Sequence, residues 1–200
     1  MSETSICNMA LSHIGQGEEI TNLTTEKSAA ASACRRFFDV ARDATLIDFQ
    51  WNFARSFQTL SLIEESPNDE WDYSYTYPTD CLFIRRVLSG YRQDTEATRI
   101  PFLISSNDAG RIIYTDQSSA EIEYTKKITD TNMFPINFQL ALSYRLAILI
   151  TPRLSAGDPF KLQQILTQFY AQSIDQARKT SHSESQDDIP HDNIFVRMRS

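Results

Sequence analysis

The chain is short of the residues from which most recognisable chemical sites are built. It holds 3 histidines and 3 cysteines in 200 residues, too few for a disulfide scaffold or a cysteine-rich zinc module. Cys7, Cys34 and Cys81 stand apart in apolar or helical contexts and read as buried free thiols. The 5 glycines form no phosphate-cradling loop, and no His-Glu-x-x-His, Cys-x-x-Cys or Gly-x-Ser-x-Gly pattern occurs. Basic residues are in deficit: 19 Lys and Arg face 26 Asp and Glu, for a formal net charge of -7. General attraction to a nucleic-acid backbone is therefore not the expected driving force. Apolar runs such as Leu146-Ala-Ile-Leu-Ile150 are far below the roughly 20 residues that span a bilayer. The opening Met-Ser-Glu-Thr-Ser lacks the basic and apolar regions of a secretion signal, so folding in a cytoplasm, with no membrane partner, is expected.

What is present is material for a core, since 41% of residues are hydrophobic. Residues 3 to 14 read as a short helix, with Ile6, Met9, Ala10 and Ile14 on neighbouring turns and Gly15 available to end it. Thr24 or Thr25 is the expected cap of a second helix over 25 to 48. Its apolar face is Ala33, Phe37, Val40, Ala44 and Ile47, widened by Ala30, Cys34, Phe38 and Ala41. From Arg55 the pattern changes. Residues 55 to 64 look extended, and strands are expected at 73 to 77, 81 to 87, 100 to 104, 111 to 115 and 120 to 125, forming one small, mostly antiparallel sheet. In the last of these, Ala120, Ile122 and Tyr124 alternate with Glu121, Glu123 and Thr125, which predicts a wet face carrying the acids. Helical spacing returns after Pro135 and is expected to be limited at Thr151-Pro152, with Gly157 ending any short continuation; Asp158-Pro159 then starts a helix to about 180, with Asp158 as cap and Pro159 at the first position.

The fold class expected is α+β: long helices with an inserted, mostly antiparallel sheet subdomain and an extended C-terminal arm. The divisions are 1–54, 55–133, 134–182 and 183–200. Two groups of residues raise a functional question. Tyr73, Tyr75 and Tyr77 share one strand face, with Arg85 and Arg86 close behind, which suits sheet packing or a contact between subunits. Stacking on nucleic-acid bases fits less well, because Asp69, Glu70, Asp72 and Asp80 surround the tyrosines. The end of the chain, with Ile194, Phe195, Val196, Arg197 and Arg199, is apolar and basic in the manner of a docking arm.

No catalytic, cofactor or metal site is expected. His13 reads as a helix-end residue, and His182, Glu184, Asp187, Asp188, His191 and Asp192 lie in a segment with no rigid frame for a metal. The pairs Glu64 with Glu65, Asp69 with Glu70, and Glu121 with Glu123 read as solvated acids, and Lys126-Lys127 as a solvated rim.

Taken in order, Cys7-Asn-Met-Ala-Leu-Ser-His-Ile-Gly-Gln-Gly17, Ile20-Thr-Asn-Leu23, Cys34-Arg-Arg-Phe-Phe-Asp-Val-Ala-Arg-Asp43 and Trp51-Asn-Phe-Ala-Arg-Ser-Phe57 open a distinctive series. It continues through Tyr77-Pro-Thr-Asp-Cys-Leu82, Gly110-Arg-Ile-Ile-Tyr-Thr115, Ile122-Glu-Tyr124, Phe134 and the helices around Gly157-Asp158. Over residues 3 to 180 this series resembles the tail tubular protein A family of short-tailed bacteriophages, the head-to-tail adaptors beneath the portal. The resemblance implies a virion protein, assembled in the host cytoplasm as a ring, usually of twelve subunits. It implies three partners: the portal ring above, a tail nozzle resembling tail tubular protein B below, and double-stranded DNA passing through the central channel. It also implies that Trp51, Phe53, Tyr77, Pro78 and Asp80 belong to the folded body, and that residues 186 to 199 reach the portal. The alternatives are a head-completion or stopper protein of another connector layer, a tail-borne cell-wall hydrolase using one of Glu64, Glu65, Glu121 or Glu123, and a nucleic-acid binder.

Overall fold

A computed structural model describes residues 1–91, 94–108, 110–155 and 157–184. The expected arm residues Ile194, Phe195, Val196, Arg197 and Arg199, and the acidic and histidine positions from 187 to 192, lie outside the described residues. The element order is α1 (Glu3–His13), α2 (Ala29–Ile47), β1 (Arg55–Thr59), β2 (Leu62–Glu65), β3 (Tyr73–Thr76), β4 (Cys81–Val87), β5 (Phe102–Asn107), β6 (Gly110–Thr115), β7 (Glu121–Lys126), α3 (Ile136–Leu154) and α4 (Pro159–Ser183). This is a mixed fold of helices and two antiparallel sheets, as the α+β expectation required, but the strands form two sheets where one was expected.

α1 ends where Gly15 allows it to. The glycine sits at φ 77°, its amide bonds Ser12 O at 3.1 Å, and the Gln16 amide bonds Leu11 O at 3.0 Å, so two otherwise orphaned carbonyls are satisfied. α2 starts later than expected. Asn22 Oδ1 accepts the amides of both Thr24 and Thr25, at 2.9 and 3.0 Å, and so holds those threonines in a separate turn. The cap is Ser28, whose Oγ accepts the Ala31 amide at 3.2 Å while donating to Glu26 Oε1 at 2.6 Å. The buried side of α2 is Ala31, Ala33, Cys34, Phe38, Ala41, Arg42, Thr45 and Leu46, so the second expected stripe is packed along Cys34, Phe38 and Ala41, and of the first Ala33 is buried and Phe37 partly buried. Val40 and Ile47 of the first stripe are exposed.

α3 passes through Thr151-Pro152 and ends at Leu154. Proline in a final turn deprives the carbonyl four residues back of its donor. That carbonyl, Ile148 O, is taken by Gln163 Nε2 of α4 at 3.0 Å, which is why the turn survives. Asp158 caps α4 as expected, accepting the amides of Phe160 and Lys161 at 3.0 and 3.3 Å, with Pro159 at the first helical position.

α3 is the central helix, buried at Phe138, Ala141, Leu142, Leu146, Ala147 and Ile150, and the other three helices pack against it. One end of this core is aromatic. Trp51 meets Phe138 edge-on at 5.1 Å between centroids, and Phe138 meets Phe53 and Phe134 at 4.9 Å each, in the geometry that adds about 0.5–1.5 kcal/mol per pair beyond area burial. The Trp51 indole donates to Thr45 O at 2.9 Å, so its one polar atom is satisfied.

The strands form a three-stranded sheet, β1-β7-β4, and a four-stranded sheet, β2-β3-β6-β5, with every pairing antiparallel. Tyr75 and Ile113 from the second sheet join Ile84, Val87, Ile122 and Tyr124 from the first in one buried cluster. The two sheets therefore share a core, separate from that of the helices.

Candidate functional site

The tyrosine strand resolves into packing. Tyr75 is 1% exposed, and Tyr73 and Tyr77 are partly buried against the same cluster. Tyr75 Oη donates to Gln117 O at 2.8 Å and receives the Ala120 amide at 3.4 Å, pinning the loop between β6 and β7. Tyr77 lies under the Arg111 guanidinium, 3.8 Å from its centroid, and accepts from the Cys81 thiol at 3.2 Å. Burial, with Cys81 adding to it, pushes the Tyr77 hydroxyl well above its ordinary value. A ring held this way offers no free face to a base.

The turn after it is equally internal. Pro78 is buried and its carbonyl accepts the Cys81 amide at 3.2 Å. Asp80 accepts from Tyr124 Oη at 3.1 Å and pairs with Lys126 at 3.3 Å. Lys127 pairs with Asp43 at 3.1 Å, so the expected solvated rim is tied to the body at both lysines.

The expectation of a wet face at Glu123 is overturned. Its side chain is 1% exposed, whereas Glu121 faces water as expected. In the sheet β1-β7-β4, Glu123 lies on the central strand, opposite Phe57 on one side and Arg86 on the other. Arg55 Nε reaches Glu123 Oε1 at 2.5 Å, Arg86 Nε reaches Oε2 at 2.7 Å, and Gln50 also donates to Oε1. Arg86 continues to Asp94 at 2.9 Å, and Ser89 donates to the same carboxylate. The charge is thus compensated from two strands and from the loop after α2. Single-strand alternation could not reveal this; the signal was the arginines of β1 and β4, Arg55, Arg85 and Arg86, each of which needs a partner.

Arg85 takes a different partner from Arg86. Its Nε donates to Thr125 Oγ1 at 2.8 Å, and Nη2 donates to Ile47 O and Phe49 O at 3.0 and 2.7 Å. It therefore satisfies carbonyls at the C-terminal end of α2, where a cation is favoured. Burial lowers its pKa. Arg85 and the Glu123 cluster together fasten the sheets to the helices.

A second polar knot lies at the same end of α2. Asp48 accepts from Arg145 of α3 and from Tyr170 Oη of α4, Arg145 Nη1 donates to Tyr170 Oη at 2.7 Å, and Asp48 O accepts from Arg178 at 3.1 Å. Burial first, then the Asp48 carboxylate, raises the Tyr170 hydroxyl from 10.0 to about 12. His13 is not a helix cap: its ring nitrogen contacts Ser143 Oγ at 3.0 Å and its ring stacks on Tyr144 at 4.0 Å. Burial lowers its pKa.

The remaining candidate acids, Glu64, Glu65, Asp69 and Glu70, are exposed, and no group of three or more metal-ligating side chains occurs among the described residues. Cys7, Cys34 and Cys81 are free and buried, as expected. No described helix is long and apolar enough to cross a membrane.

What the surface does present is apolar side chains on open edges and faces. On the helices these are Ile136 and Leu140 of α3 with Phe160, Ile165 and Phe169 of α4; Phe160 is 76% exposed. On the sheets they are Phe57 of β1, Leu62 and Ile63 of β2, Phe83 of β4, and Leu103 and Ile104 of β5. Exposed large apolar side chains are candidates for association surfaces where they cluster. No protein-family model matches the chain, and no curated protein matches it.

Proposed function

We propose that the protein is a virion adaptor: a ring, of twelve subunits by family resemblance, between a phage portal and a tail nozzle, with DNA passing through its centre. The observation that carries this reading is the ordered series of motifs over residues 3 to 180. The residues of that series that the resemblance assigns to the folded body fit it: Trp51 and Pro78 are buried, and Tyr77 and Asp80 are held by side-chain partners. The exposed apolar residues supply the second support, because a closed head-to-tail ring needs two different complementary faces on each subunit. A net charge of -7 suits a channel that must not grip a moving polyanion. In this reading the C-terminal residues Ile194, Phe195 and Val196 contribute apolar burial against the portal, and Arg197 and Arg199 contribute charge pairing.

The test is the mass of the purified protein, alone and mixed with the portal assembly of the same phage. Joining the portal as one discrete layer of about twelve subunits supports the reading; an intact portal left bare overturns it. Removal of residues 186 to 200 is expected to abolish portal binding while leaving the fold intact by circular dichroism. Unchanged binding would remove the arm from the mechanism.

A further inference from the structure

The edges of the four-stranded sheet are unequal, and the inequality points to a partner. Sheet edges are commonly guarded by charge, proline or a bulge, because their unpaired backbone groups otherwise recruit another strand. β1 begins with Arg55, and β4 carries Arg85, Arg86 and two register shifts. β2 carries Glu64, Glu65 and a shift. β5, Phe102-Leu-Ile-Ser-Ser-Asn107, has none of these: no charge, no internal proline, and an unbroken register with β6. Leu103 and Ile104 stand exposed along it, and among the described residues no strand other than β6 pairs with it.

The topology says which strand fits. The order β2-β3-β6-β5 is antiparallel at every step, so β2 and β5 run in opposite directions at the two edges. A second copy placed head to tail keeps strand direction, and its β2 then meets β5 antiparallel, continuing the same ladder. Setting Leu62-Ile63 against Leu103-Ile104 in that direction carries Glu64 and Glu65 toward the start of β5, where exposed Arg99 precedes the strand; Glu96 shares that loop. The opposite choice, β2 against β2, lines carboxylates against one another.

We infer that subunits of this protein join by sheet continuation, β5 of one copy accepting β2 of the next. The inference rests on the ring reading above and gives that ring its two faces. It follows that the interface is mainly main-chain hydrogen bonding, with Leu62, Ile63, Leu103 and Ile104 as its apolar contacts and Arg99 with Glu64 and Glu65 setting its register.

The test is cross-linking of a Leu62→Cys, Ile104→Cys double variant, two positions that the register sets opposite one another on the same face, under mild oxidation with copper phenanthroline, run on the protein alone and with the portal assembly. The three native thiols are buried. A ladder of dimer, trimer and higher species is expected from the double variant, and Ile104→Cys alone should give no ladder. Leu103→Lys added to the double variant, at an exposed edge position, should keep the monomer's circular dichroism and abolish the ladder. Three results overturn the inference. Dimers as the main product of Ile104→Cys alone would mean β5 pairs with itself. A ring that forms with no link between 62 and 104 would leave the ring reading standing without this interface. A protein monomeric under both conditions would defeat both.

Discussion

The helical half and the sheet half of the molecule hide their polar groups in different ways. In the helices most polar groups are met locally: Ser28, Asp158 and the Gly15 and Gln16 amides close termini, buried Thr45 and Thr151 donate to carbonyls four residues back, and buried Arg42 pairs with Asp39 and Asp43 of its own helix. In the sheets a full carboxylate, Glu123, is buried, and its charge is met by side chains from β1, β4 and the loop after α2. A helix satisfies its own backbone within a turn, so its core is free to be featureless. A small sheet joined to a neighbouring domain needs a fixed orientation, and a buried charge network with one set of partners provides one.

The comparison breaks most severely at Trp51. Trp51→Ala empties the aromatic end of the helical core and leaves Thr45 O without its donor, so a loss of about 3–5 kcal/mol is expected in urea unfolding. A loss below about 1 kcal/mol would mean the aromatic cluster is not the keystone of that half. Next comes Glu123→Ala, which removes the carboxylate that Arg55 and Arg86 share while Arg86 keeps Asp94. Because both arginines are partly exposed, the expected cost is reduced to roughly 2–3 kcal/mol, with Glu123→Gln milder. Unchanged stability would show that the network fixes orientation without contributing energy.

Two smaller effects sharpen the contrast. Tyr75→Phe removes the hydroxyl that holds the loop between β6 and β7 and is expected to cost about 1 kcal/mol, with faster amide exchange at Ala120. Tyr170 gives a pH signature confined to the helical half. Its hydroxyl is raised from 10.0 to about 12, so its contribution to stability is complete below pH 10 and is lost as pH climbs toward about 12. Tyr170→Phe should flatten the base-denaturation curve in that window, and spectrophotometric titration should lose one late tyrosine. A wild-type curve already flat there would refute the Asp48 knot as its cause.

The helices were legible because their signals are local. Asp158 and Pro159 marked a start from sequence, and Gly15 marked an end, since capping involves atoms within one turn. The errors have equally specific causes. Thr24 and Thr25 were plausible caps until Asn22 claimed their amides. The first expected stripe of α2 looked like the core face, yet Val40 is 58% exposed, because α2 packs mainly on one helix, α3. Pro152 was a plausible stop, and only Gln163, from another helix, explains why it is not.

The sequence by itself determined the order of helix and strand, the Gly15 end of α1 and the Asp158-Pro159 start of α4, and the positions of β3 and β4 nearly to the residue. These depend on hydrophobic period and on bonds spanning a few residues. Tertiary structure alone decided that the strands divide into two sheets, that Glu123 is buried while Glu121 is wet, and that β5 is left as an open apolar edge. The physical reason is that alternation assigns residues to two faces without saying what covers either one. That is settled only when strands distant in the chain pair, as Arg55 does with Thr125 and Arg86 with Glu123.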